Sequence, residues 1–189
     1  DFNYGESTVK TETTDAAGVA TVTEKEEKTI ENAKIFANVK KTLTPRTFMS
    51  LDGTATYDDV ADIDYRATLG PGWGAYLVKN DQRSLTLEAG PSYVWEEVGG
   101  ESDDYLALRL AERYACQALE NAKLVQSLEY LPAAEDFEHY LLVGEIGVEA
   151  AMSDHLNLRV VVQDKYDNTP AAGKERNDLS LIAGIGIAL

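Results

Sequence analysis

Few side chains in this sequence are equipped for chemistry. There are two histidines, His139 and His155, and one cysteine, Cys116. The histidines stand at opposite ends of one strand-like stretch. Extended chain rises about 3.3 Å per residue, which carries them too far apart for a shared metal or acid–base site. Each reads as a rim histidine. A nucleophilic Cys116 would need a basic partner, and none surrounds it in the sequence, so it reads as a thiol on an apolar face. The run GPGWG (70–74) resembles a phosphate loop only on the surface, because no Lys-Ser/Thr and no helix follow it. Its glycines read as the place where a strand wall curves. Glu145 and Glu149 share one strand face, as a glycosidase pair would, but Arg109, Arg113 and Arg159 belong to the same face, which favours ion-paired filling. No catalytic residue, metal site or cofactor is expected, and the chain reads as non-enzymatic.

The elements that carry these residues are strands. In SLTLEAGPSYVWEE (84–97), Leu85, Leu87, Ala89, Pro91, Tyr93 and Trp95 alternate with Ser84, Thr86, Glu88, Gly90, Ser92 and Glu96, with Val94 the exception. Side chains on a strand alternate faces, so the stretch has one apolar and one polar side. The pattern returns at roughly 2–14, 19–41, 46–58, 62–79, 84–97, 104–118, 122–131, 138–152, 155–166 and 177–189. The stretch SDDYLALRLAERYACQALENAK (102–123) competes as an amphipathic helix. The two-residue spacing of Leu106, Leu108 and Leu110, continued by Tyr114 and Cys116, favours a strand. Short links (KTLTPR, KNDQR, LENAK, MSDH) alternate with longer or acidic ones (TTDAAG, DDVADID, EVGGESDD, LPAAEDFE, YDNTPAAGKERND). Turns sorted this way belong to an antiparallel up-and-down barrel, whose successive turns lie at opposite ends. The expected fold is all-β, a single barrel domain over 1–189 with about ten strands.

The two faces differ in kind. One holds Met49, Leu51, Leu69, Trp73, Leu77, Leu87, Leu106, Leu142, Val160, Leu181 and their neighbours. The other holds tiny residues and both charge signs: Arg66, Glu88, Arg109, Arg113, Glu129, Glu145, Glu149 and Arg159 among Gly70, Gly72 and Gly74. A glycine-rich face weakens a strand if it faces water. Inside a barrel it leaves room for paired charges. The eight charged residues are therefore expected to line a lumen. Tyr57, Trp73, Tyr93, Trp95 and Tyr140 are expected on the lipid-facing side or in its aromatic girdle.

Composition sets outer bounds. The formal net charge is -16 and the pI about 4.4, which argues against nucleic acid. No apolar run is long enough for a transmembrane helix, and no basic-then-apolar leader opens the chain. Asp58, Asp59, Glu96, Glu97, Glu101, Asp103, Asp104, Glu135, Asp136 and Glu138 gather on the long-loop side. Such a rim should attract cations, and divalent ions there could bridge to lipopolysaccharide phosphates. The reading is a monomeric membrane barrel whose partners are membrane lipid or detergent, acting as a narrow pore or a structural protein. The alternative is a soluble lipocalin-like barrel with the apolar face turned inward around a small ligand.

The stretch DYRATLGPGWGAYLVKNDQRSLTLEAGPSYVWEE (64–97) strongly resembles the salt-induced outer-membrane protein family of unknown function of Gram-negative bacteria. FNYGES, LTPRTF and the ending KYDNTPAAGKERNDLSLIAGIGIAL fit as well, so the similarity spans essentially the whole chain. The resemblance implies an antiparallel barrel in the bacterial outer membrane and brings no catalytic residues with it. Three departures stand out. Members of the family usually carry a further hairpin before the YGES strand, and end on an aromatic residue where this chain has Leu189. Ala75, Cys116, Ala118, Val125 and Val143 are small and apolar where aromatic or polar residues are expected. These departures are those of a trimmed or re-engineered member, a nanopore among the options, with ten strands in place of the family's twelve.

Overall fold

The computed structural model describes the backbone of residues 2–14, 20–153 and 156–187, and the side chains of 33–153 and 156–185. The TTDAAG link, His155 and the chain end at Leu189 lie wholly or partly outside the described residues. Ten strands follow in chain order: β1 (Phe2–Thr14), β2 (Ala20–Thr44), β3 (Thr47–Asp58), β4 (Ile63–Lys79), β5 (Arg83–Val98), β6 (Glu101–Leu119), β7 (Ala122–Pro132), β8 (Tyr140–Ala151), β9 (Leu156–Asp167) and β10 (Asn177–Ile187). They form one antiparallel sheet in which each strand pairs with its neighbours in sequence. The 102–123 stretch is strand, not helix. Its period-two leucines outweigh the helix propensity of its Ala, Glu and Arg, because pairing on both edges stabilises the extended form.

Connection lengths sort by end, with one departure from the sequence reading. The turns 45–46, 80–82 and 120–121 lie at one end, whereas 133–139 and 168–176 are long and lie at the other. EVGGESDD reads as a long acidic link, yet the β5–β6 ladder runs unbroken to Val98↔Glu101 and only Gly99 and Gly100 join the strands. Their φ angles of 62° and 76° are what a tight two-residue hairpin turn demands, and glycine adopts them without steric cost. The acids of this link are strand residues.

The sheet curls into a barrel. Arg66 of β4 reaches Asp167 of β9 at 3.0 Å, and Lys165 of β9 lies 3.8 Å from Asp58 of β3. Strands far apart in the order meet this way only if their shared face is concave. The β4–β5 wall is drawn tight where Pro71 stands opposite Pro91. The ladder breaks between Leu69↔Tyr93 and Trp73↔Ala89 without losing register, since proline has no N–H to donate. A Cβ on Gly70 would stand 2.2 Å from the Pro91 carbonyl oxygen, and one on Gly90 2.0 Å from that of Pro71. Only glycine allows this approach.

The barrel reverses the polarity of a soluble protein. Leu69, Trp73 and Leu106 are 48%, 56% and 50% exposed on the convex face, while Arg66, Glu88 and Arg109 on the concave face are 8%, 3% and 8% exposed. Val94 breaks the β5 alternation because it belongs to a small apolar cluster inside, with Ala107 and Leu131, flanked by Tyr105 and Leu141.

Candidate functional site: the ionic interior

The inward-facing charges form three groups. The first is centred on Glu88 of β5. Its Oε1 accepts from Ser50 Oγ at 2.8 Å and Arg109 Nη1 at 2.6 Å, and its Oε2 lies 3.4 Å from Arg113 Nη1 and 3.5 Å from Lys40 Nζ. Arg109 also donates from Nε to Glu129 at 2.9 Å and lies 3.4 Å from Asp52. The glycines of β4 make room for this group. A Cβ on Gly72 would meet Ser50 Oγ at 2.6 Å, and one on Gly74 would enter the Phe48 ring. Phe48 itself is buried against Tyr76, with Lys40 Nζ 4.6 Å above its ring.

The second group lies at the long-loop mouth. Arg66 donates from Nε to Glu96 at 2.5 Å and from Nη2 to Asp167 at 3.0 Å. His139 Nε2 lies 3.7 Å from Glu96, with its ring against Tyr105, and Lys165 approaches Asp58. Asp58 and Glu96 read from sequence as solvated rim acids. Both are instead 5% exposed and turned inward to basic partners, because each falls on the inner parity of its strand. The third group lies on the opposite wall. Arg159 donates from Nη2 to Glu145 at 2.7 Å and lies 3.8 Å from Glu149, while Gln163 Nε2 donates to Glu145. Arg159 and Glu149 stay open to water, at 47% and 39% side-chain exposure, whereas Glu145 is mostly covered and Gln163 is buried.

The eight charged residues named from sequence thus fall on one concave face and into these groups: Arg66 at the mouth; Glu88, Arg109, Arg113 and Glu129 on the near wall; Glu145, Glu149 and Arg159 on the far wall. Gln163 and Lys165, of the same polar face in the sequence, belong with them; Lys40, Ser50, Asp52 and Asp167 belong there too and were missed. The signal was present, since Ser50 and Asp52 share a parity opposite to Met49 and Leu51. On the convex face, Tyr93 packs on Trp95 with centroids 4.8 Å apart and donates to Asp104. Tyr140 lies between Tyr130 and Tyr166, Trp73 is exposed, and Tyr57 is half-buried at the end of β3.

The interior is open at one end and tight at the other. A cavity of about 580 Å³ opens at the short-turn end, lined by Gln117, Lys123, Glu149, Asn157 and Arg159 among others. Beneath the long loops a cavity of about 70 Å³ remains between Asp58, Arg66, Lys165 and Asp167. No group of three or more potential ligands able to hold a metal occurs among the described residues. Cys116 is half-buried with its Sγ 4.0 Å from the Gln117 carbonyl oxygen.

The fold is similar to that of a solved porin. A structure described as the NanC porin in a rhombohedral crystal form aligns with a TM-score of 0.61 at 9% identity, over 97% of this chain and 93% of that one. A Pseudomonas aeruginosa FadL homologue aligns with a TM-score of 0.45 at 10% identity, over 97% of this chain and 62% of that one. No curated protein matches the sequence. The sequence does match, over residues 2–189, a family described as protein of unknown function, and the chain therefore belongs to the DUF481 family.

Proposed function

We propose that the protein is a non-enzymatic β-barrel of the bacterial outer membrane that forms a narrow, water-lined channel. The observation that carries this reading is the reversed polarity: large apolar side chains outside and a buried, ion-paired interior. A convex face with Leu, Trp and Val exposed on successive strands suits lipid, and Tyr57, Trp73, Tyr93, Trp95 and Tyr140 supply its interfacial aromatics. In this reading Arg66, Glu88, Arg109, Arg113, Glu129, Glu145, Glu149 and Arg159 line the lumen and set its charge preference. The remaining acids of the long-loop end draw cations to that mouth. A lipocalin-like binder needs its large apolar side chains inside, where this barrel holds Glu88, Arg109 and Arg66. The small residues at Ala75, Cys116, Ala118, Val125 and Val143 support a re-engineered member of the salt-induced outer-membrane group, and an identical natural sequence would overturn that point.

The test is to refold the full chain in detergent and record current across a planar bilayer. Detergent dependence with uniform conductance steps supports a channel. Detergent dependence with silence leaves a plugged structural barrel, and full solubility without detergent removes the membrane reading.

A further inference from the structure

The β9–β10 segment 168–176 does not stand out into solvent but lies across the long-loop mouth. Its base is closed by the Asp167 N–H donating to the Arg176 carbonyl at 2.8 Å. Asn168 ties that base to the rim of β8, its N–H donating to the Tyr140 carbonyl at 3.0 Å and its Nδ2 to the Glu138 carbonyl at 2.6 Å. A turn through Gly173, at φ 81°, with the Lys174 N–H on the Ala171 carbonyl, folds the tip inward. There Ala171, 8% exposed, rests over Gly99 in the β5–β6 turn. Lys174 Nζ reaches across the opening to the Val60 carbonyl in the β3–β4 turn at 2.7 Å. That turn is in turn joined to Gly99, whose N–H donates to the Asp62 carbonyl at 2.8 Å.

We propose that this segment is the gate of the channel: a strap hinged at Asp167 and Arg176, seated by Ala171 and latched by Lys174. The proposal rests on the channel reading above. Closure is read from the space left beneath the strap, a cavity of about 70 Å³ against about 580 Å³ at the other end. Opening is easy for a reason of anchoring. Thr169 and residues 172–176 are exposed, so the tip holds through one small apolar side chain and one hydrogen bond from an exposed lysine. The Arg66–Glu96–Asp167 belt below is buried and paired on every side, and it stays in place as the narrow part of the open path. The strap can lift without breaking a strand ladder, because its two ends are already joined at the base.

Single-channel recording on the full refolded chain and three variants tests this. Lys174→Met removes the latch and keeps most of the unbranched apolar stem. Val60→Cys with Lys174→Cys, in a Cys116→Ser background, lets a reducible bifunctional thiol reagent tie strap to turn. The expected result is at least a threefold rise in open probability for Lys174→Met at unchanged open-state conductance, and silence of the tied variant until reductant is added. Each variant is first shown to insert as a heat-modifiable barrel. If the untied chain gives steps and neither change alters their frequency, the strap is a fixed surface loop and this proposal falls alone. If no variant conducts although all insert, including one with 169–175 replaced by a short glycine link, the channel reading fails and the gate with it.

Discussion

The near wall, β2 to β7, and the far wall, β8 and β9, both turn charged side chains inward, yet they handle them in different ways. On the near wall Glu88 has no exposed side-chain surface and four polar partners, with the β4 glycines giving up volume to admit them. On the far wall Arg159 has two carboxylates beside it and stands 47% exposed along a cavity of about 580 Å³. The same residue types are structural in one place and wet in the other. A charge out of water must be fully partnered or it destabilises the fold; a charge in water is screened and free to act on what passes.

The largest expected effect strikes the near wall through its glycines. Gly90→Val would drive a Cβ to 2.0 Å from the Pro71 carbonyl oxygen, in backbone with nowhere to move. Overpacking costs about 1–3 kcal/mol and occasionally more; with rigid backbone as the obstacle, loss of the heat-modifiable folded band on refolding is expected. Gly184→Ala on the far side, where no atom lies within 4 Å of the added Cβ, should refold normally. Equal yields for the two would erase the distinction between the walls.

Next in size is removal of a single carboxylate from each wall. Glu88→Leu removes the buried carboxylate beside Arg109, Arg113 and Lys40. The loss falls on the buried Arg109, since Arg113 and Lys40 reach water, and breaking a buried pair costs about 3–5 kcal/mol. Glu149→Leu removes one of two acids beside an exposed arginine, worth about 0–1 kcal/mol. Urea unfolding midpoints in lipid vesicles should fall steeply for the first and hardly move for the second. A comparable fall in both would mean that the far-wall pairs are as dry as the near-wall ones.

A smaller effect belongs to the turn that departs from the sequence reading. Gly99 holds φ 62° with Ala171 3.3 Å from its hypothetical Cβ. Gly99→Val should cost about 1–2 kcal/mol, the penalty of a left-handed β-branched residue, and should loosen the 168–176 segment as seen by faster proteolysis there. Unchanged cleavage would show that Ala171 does not depend on this seat.

Much of this architecture was legible because the strand period is two and any error in parity flips a whole face. The alternation of 84–97 gave both sides of β5, and the leucines at 106, 108 and 110 decided a strand against helix-forming neighbours. Three features were not legible, each for a reason of space. Gly-Gly in EVGGESDD was hidden by the acids around it, which suggested loop where the ladder continues. Asp58 and Glu96 looked like rim charges because their partners, Lys165 and Arg66, lie on strands distant in sequence or on the inner side of a neighbour. Lys40 and Asp52 gained their role only when curvature brought β2 and β3 over Glu88. Parity gives the side of the sheet; closure decides which side chains meet.

The smallest effect is the one that speaks to function. An ion passing about 7 Å from a unit charge in water gains or loses about 0.6 kcal/mol, roughly threefold in local concentration. Arg159→Gln should therefore shift the reversal potential toward cations by up to that factor at low salt, while leaving the unfolding midpoint where it was. The shift should fade in molar salt, where the screening length shrinks to about 3 Å. Arg109→Gln should do the reverse, lowering stability by taking the guanidinium from Glu129 and Asp52 and leaving Glu88 with only Ser50, Arg113 and Lys40. Any change it makes to selectivity should persist in high salt, because the site is closed to mobile ions. If Arg159→Gln leaves selectivity untouched at low salt, ions do not travel along the far wall. The cavity there would then be a dead-end vestibule instead of part of the path.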